Sequence, residues 1–259
     1  MRKCVSNFAV LLTVATKAWC GLTVTAENPG VQTTSVPGAV VYTFDSPAAG
    51  YLGNVFANFG SVTGIYDTLY TQEPDIYGGA YATTYLMAIY FTGLHQNDFH
   101  TWSYSLRLSS PVNYFGSYWL AGNPYGQFDF YLGETLVGTF SSASALKVLP
   151  STYLGNPNGG SDPGEPFAYL NFFGTGRTTF DRIVLTVTSN TAVFRTDNHA
   201  IAVNATPAGG LLISDNVTPA PVVGAPALSV AAEIALVLLL AAGGGLLLRK
   251  SQRHPEPRL

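Results

Sequence analysis

The sequence predicts an all-β fold, an antiparallel β-sandwich of jelly-roll-like or immunoglobulin-like type. Three observations carry that reading. Between residues 27 and 206 the chain is rich in Gly, Tyr, Phe, Thr and Val, and only 10% of all residues are charged. Its apolar residues hold no sustained 3.6-residue period. Short β-branched and aromatic runs are instead set apart by clusters of Gly, Pro and Asn, the pattern of strands and turns. A segment of about 180 residues buries close to 70% of its unfolded surface, which suffices for one domain.

The strands follow in order. Val40 to Phe44 is the first, ended by Asp45-Ser46-Pro47. Thr83 to Phe91, Trp102 to Leu108 and Tyr118 to Ala121 come next. Gln127 to Leu132 and Thr135 to Phe140 form the clearest hairpin, joined by Gly133-Glu134 with Gly first, as a type II′ turn prefers. In that register Phe128, Phe130 and Leu132 share a face with Val137, and Tyr131 faces Leu136. Apolar residues on both faces suit an interior strand pair better than an edge. A second hairpin is expected from Phe167 to Phe173 and Thr178 to Val187, through residues 174–177. Ile183, Leu185 and Val187 point to one side of it, Arg182 and Thr186 to the other. Ala200 to Val203 closes the set. Strand order is not legible, and there is no internal repeat.

The ends of the chain have a different composition. Met1-Arg2-Lys3, an apolar stretch from Phe8 to Val14 and a small-residue exit describe a secretory signal peptide, residues 1–26. Val24 and Ala26 occupy the −3 and −1 positions before Glu27; cleavage after Cys20 is the alternative. Lipid attachment at Cys20 fits poorly, since Lys17 and Trp19 stand where apolar and small residues belong. The two cysteines, Cys4 and Cys20, both lie in this segment, so the exported part offers no disulfide and no thiolate metal site. Residues 207–226, rich in Pro, Gly, Ala and Val, read as a semi-extended stalk.

A C-terminal segment, 227–259, carries an apolar run from Leu228 to Leu248. Its 21 residues make a helix about 31 Å long, enough to cross a hydrocarbon core. Eleven are Leu, Ile or Val, each contributing roughly −0.3 to −0.6 kcal/mol near the centre of the bilayer. Glu233, the one charge, lies near the outer end, where it reaches the headgroups and costs less. Arg249, Lys250 and Arg253 favour a cytoplasmic C-terminus.

Charge is partitioned along the chain. Residues 27–223 hold five basic and thirteen acidic side chains, a net charge of −8, although the whole chain is −3. Nucleic acid is excluded as a partner, because phosphate backbones need clustered Lys and Arg. Long-range attraction to anionic lipid or polysaccharide is disfavoured as well.

Candidate chemistry is sparse. His95, Asp98 and His100 are the densest set of metal-ligating side chains, at a spacing that matches no zinc signature. Asn156, Asn158, Asp162 and Glu165, in a Gly/Pro/Asn-rich loop, offer hard oxygen ligands for a structural Ca²⁺, without the regular spacing of an EF-hand. No other cofactor is indicated. Trp102, Tyr118 and Trp119 are candidates for stacking on sugar rings. His199 lies in Asp197-Asn198-His199 with no Gly-x-Ser-x-Gly elbow, and the chain reads as no enzyme. A secreted hydrolase would need two carboxylates, or a His–acid pair, converging in a cleft.

Two resemblances add to these readings. A small-residue motif, a membrane helix and a basic tail resemble the C-terminal sorting signals of exosortase-type (PEP-CTERM/IPTL-CTERM-like) systems. Ala225-Pro226-Ala227-Leu228-Ser229 is similar to their Ile-Pro-Thr-Leu-Ser variant: Pro226, Leu228 and Ser229 match, Ala225 and Ala227 depart from it, and Arg249-Lys250 close the signal. Pro255-Glu256-Pro257 stands on the wrong side of the helix for the other variant. Residues 40–204 carry, in order, 111–119, the hairpin from Phe128 to Phe140, 153–158, 165–173, 179–183 and 197–199, an order similar to a family of exosortase-dependent bacterial surface proteins. That resemblance implies a β-sandwich outside the cytoplasm of a diderm bacterium, with no established enzymatic role. It further implies a membrane-embedded sorting protease as partner, and display at the cell surface or release into an exopolysaccharide matrix. A carbohydrate-binding module is the alternative, expected to expose several aromatics in one row.

Overall fold

The computed structural model describes residues 21–45, 50–72, 79–80, 86–90, 103–159, 162–189, 192–207 and 210–217. Among these residues are thirteen strands: β1 (Gly21–Ala26), β2 (Val40–Tyr42), β3 (Gly50–Phe59), β4 (Val62–Gln72), β5 (Leu86–Tyr90), β6 (Ser103–Val112) and β7 (Tyr114–Leu120). β8 (Gly126–Leu132), β9 (Thr135–Ser141), β10 (Ala168–Thr175), β11 (Phe180–Val187), β12 (Val193–Ala202) and β13 (Leu211–Val217) complete them. A short helix, α1 (Ser142–Leu146), is capped by the Ser141 hydroxyl, which accepts from the Ala143 N–H.

All ladders are antiparallel, and the strands form the two layers of a sandwich. One layer runs β13-β1-β10-β7-β12, with β2 also paired to β12; the other runs β3-β4-β6-β11-β8-β9. β5 pairs with both β12 and β4 and joins the layers along one side. The layers are held together by their facing apolar residues: Leu22, Val24, Phe115, Trp119 and Phe172 from the first, Leu106, Phe128, Phe130, Ile183 and Leu185 from the second. Ring contacts run through this core, with Phe172 lying 4.8 Å from Phe128 and 5.1 Å from Phe130. The first layer is buried on its other face too. Tyr114, Tyr118, Tyr169 and Phe173 pack there under the segment that carries Val36, Ala39 and Val41.

The domain extends beyond the expected limits of 27 and 206 at both ends. β1 lies inside the segment expected to be a signal peptide, paired at all six residues to β10 and on its other edge to β13. Leu22, Val24 and Ala26 are completely buried. Burying Leu22 and Val24 alone stabilises the fold by about 3–6 kcal/mol, a large share of a typical domain's margin. β13 lies in the expected stalk, where Ile213 is buried. The apolar alternation of Leu211 and Ile213 gives it a face to bury, which a solvated linker lacks.

Hairpin expectations divide. The β8–β9 loop is two residues long, with Leu132 paired to Thr135 and Gly133 at φ +57°. A bulge shifts the register beyond Tyr131–Leu136, so that Gly138 rather than Val137 stands opposite Phe130. β9 is the last strand of its layer, not an interior one. The expected second hairpin does not form: β10 pairs with β1 and β7, whereas β11 pairs with β6 and β8. Its residues 176–179 cross between layers, because both strands carry a full apolar face and the faces meet across the core rather than along an edge. β6 and β7 likewise change layers at Asn113, whose side chain accepts from the Ala205 N–H and donates to the Ala205 carbonyl. The longest hairpin, β3–β4, turns at Gly60-Ser61 with Gly60 at φ +76°.

Candidate ligand-binding face

The outer face of the β3–β9 layer carries exposed side chains among the described residues. Strand alternation builds it. In β4, Val62, Gly64 and Tyr66 turn inward, leaving Thr63, Ile65 and Asp67 outward. In β11, Ile183, Leu185 and Val187 are buried and Arg182, Val184 and Thr186 are half-buried, as the alternation predicts.

Register aligns one row across all six strands: Phe56, Ile65, Arg107, Arg182, Tyr131 and Leu136 are successive cross-strand partners. Five strand spacings make it about 24 Å long. Phe56 is 60% exposed and Ile65 48%. The Arg182 guanidinium lies 4.2 Å from the centre of the Tyr131 ring and 3.2 Å from Glu134 Oε2. Glu134 is 89% exposed, so the ion pair is of the weak surface kind and readily exchanged. Arg107 is exposed and has no ion-pair or hydrogen-bond partner among the described residues. Two arginines directly opposite one another repel, and the sheet keeps them there. The neighbouring row is polar and internally satisfied. Asp129 accepts from Thr139 Oγ1 at 2.6 Å and from Gln127 Nε2 at 2.8 Å, while Asp67 accepts from the Ser105 N–H and hydroxyl. The acids therefore have donors of their own.

Two of the three stacking residues expected from the sequence, Tyr118 and Trp119, are not on this face. Trp119 is 0% exposed and Tyr118 is 1% exposed, the first in the core between layers and the second in the outer cluster. β7 is covered on both sides, so no side chain of it reaches a ligand. Trp102 lies outside the described residues, as do His95, Asp98, His100, Pro226, Leu228, Ser229, Arg249 and Lys250. No described helix is long and apolar enough to cross a membrane.

Of the proposed calcium ligands, Asn156 and Asn158 are hydrogen-bonded within the protein. Asn156 Oδ1 accepts from the Asn158 N–H, and Asn158 Oδ1 accepts from Gln32 Nε2, while Asn158 Nδ2 donates to the Gly79 carbonyl. Asp162 and Glu165 do lie together. Burial raises the Glu165 carboxyl's pKa, Asp162 adds to the rise, and Arg195 opposes it. Among the described residues no group of three or more His, Cys, Asp or Glu side chains is placed to hold a metal.

His199 and Asp197 are both buried in the domain. His199 Nδ1 meets the Tyr66 hydroxyl at 2.9 Å and Nε2 meets Thr196 Oγ1 at 3.0 Å. Burial lowers its pKa to about 3. The Asp197 carboxylate accepts from the Ala80 and Asn198 N–H groups. His199 ties β12 to β4 through Tyr66, and Asn198, at φ +46°, makes the bulge between Asp197 and Ala200.

No family model, curated protein or solved structure matches the chain. The function is therefore read from the residues alone. Those of the outer row were not singled out by sequence, although a signal for them exists. Phe59-Gly60-Ser61-Val62 is a two-residue hairpin pattern, and aligning its flanks places Phe56 beside Ile65.

Proposed function

We propose that this protein is an exported, non-enzymatic surface or matrix protein, sorted through an exosortase-type C-terminal signal, that holds acidic exopolysaccharide on the outer face of its β3–β9 layer. The row from Phe56 to Leu136 carries the reading. Phe56 supplies an exposed apolar ring for sugars, and Arg107, with the partly exposed Arg182 held over the Tyr131 ring, supplies cationic points for carboxylate or sulfate groups along a polymer. Support for export comes from the basic, apolar N-terminus, the cysteine-free domain and the tail beginning at Pro226. With a net charge of −8 over residues 27–223, the domain repels polyanions at long range, so the arginines act at contact distance, within about one Debye length.

Affinity electrophoresis in polygalacturonate and in neutral dextran tests this. Retardation is expected in the acidic gel alone and weakens with added salt. Arg107→Ala abolishes most of it, by tenfold or more, with an unchanged melting temperature. Glu134→Gln, which frees Arg182 from its counter-ion, strengthens it. Equal mobility of wild type and Arg107→Ala would remove the face from consideration.

A further inference from the structure

We infer that the leader is cut after Cys20, so that the mature chain opens on Gly21 with β1 intact; this rests on the reading that the chain is exported. The −3/−1 pattern alone allows a cut after Ala26 as well, and the fold discriminates between the two sites. A cut after Ala26 removes a strand lodged between β10 and β13, with Leu22, Val24 and Ala26 fully buried. It also makes Glu27, whose backbone N–H donates to the Tyr169 carbonyl at 2.9 Å, the first residue of the chain. A cut after Cys20 keeps the strand whole. The Gly21 nitrogen already donates to Thr178 Oγ1 at 3.0 Å, a bond that the new amine retains.

The sequence around Cys20 meets the requirements of a leader peptidase. Ala18 and Cys20 put small residues at −3 and −1, and bulky Trp19 falls at −2, between them. Only six residues, 15–20, then separate the apolar stretch from the cut, against twelve for a cut after Ala26. Val24 and Ala26 are small and apolar for a different reason: they face the core of the sandwich. Their match to the cleavage pattern is a by-product of strand packing.

The full chain produced in a diderm host tests the site by N-terminal sequencing and intact mass after cell fractionation. A Gly21 start in the exported fraction is expected. An exported chain starting at Glu27, or one carrying lipid on Cys20, would overturn the site while leaving export standing. A cytoplasmic chain that keeps residues 1–20 would overturn export itself, and the site with it. Cys20→Trp, which changes no residue of β1–β13, is expected to stall processing and preserve residues 1–20. Efficient conversion of that variant to a Glu27 start would contradict the assignment.

Discussion

At His199 the imidazole sits edge-on to Phe44 and Phe115, 5.0 and 5.1 Å away, with its two nitrogens taken by Tyr66 and Thr196. Such a ring has no water with which to stabilise a charge, and its pKa falls to about 3. The folded state thus binds one proton fewer than the unfolded state between about pH 3 and the ordinary histidine value near 6.5. Stability accordingly rises with pH across that window and is lost as pH drops through it, by about 1.4 kcal/mol per unit at most. Urea unfolding of wild type and His199→Gln from pH 7 to pH 4 checks this. The variant is expected to lose about 1–3 kcal/mol at pH 7 and to show a shallower decline towards acid. Parallel curves would mean that His199 is not the group that titrates. The same enclosure explains Trp119 and Tyr118. An aromatic side chain in a Gly- and Tyr-rich strand has no label that separates a sugar platform from a core, and only the covering of β7 on both faces decides it.

Elements with strong local signals were legible, and those defined by distant partners were not. The β8–β9 loop was readable because Gly133-Glu134 settles its length within the hairpin itself, and β11 because Ile183, Leu185 and Val187 alternate cleanly. β1 was hidden by its own apolar character, which a leader exit shares. β13 was hidden by the Pro- and Gly-rich chain around it. The layer change between β10 and β11 was unreadable, since a short connection between two apolar strands serves a hairpin and a crossover equally. Corners of this kind are held by single side chains. Asn113→Ala removes both bonds to Ala205 and leaves its N–H and carbonyl short of partners, an expected loss of about 1–3 kcal/mol in a thermal or urea melt. In the 154–166 loop, by contrast, the side-chain oxygens of Asn156 and Asn158 accept hydrogen bonds from within the protein. Excess EDTA is therefore expected to leave the melting temperature unmoved; a fall of several degrees, restored by Ca²⁺, would show that the loop holds calcium.

Across the whole molecule, the charge partition and the sandwich describe one design. Seven of the twelve Lys and Arg residues lie outside residues 27–223, in the two ends, and the acidic domain between them keeps two of its five cations opposite one another on a single sheet face. Basic ends suit insertion and orientation in a membrane, whereas the face suits a ligand outside it. The exported stretch, on this reading, is longer at both ends than composition implied, running from Gly21 through Val217, and the linker to the apolar run is correspondingly shorter. Sorting remains the feature on which the rest depends, because an unsorted domain would stay tethered beneath the surface it is proposed to occupy. Intact mass of the protein recovered from the cell surface or the medium tests it most directly. The expected mass is that of a chain beginning at Gly21 and lacking the residues beyond about Ser229. A mass that includes the apolar run and the basic tail through Leu259 would contradict it.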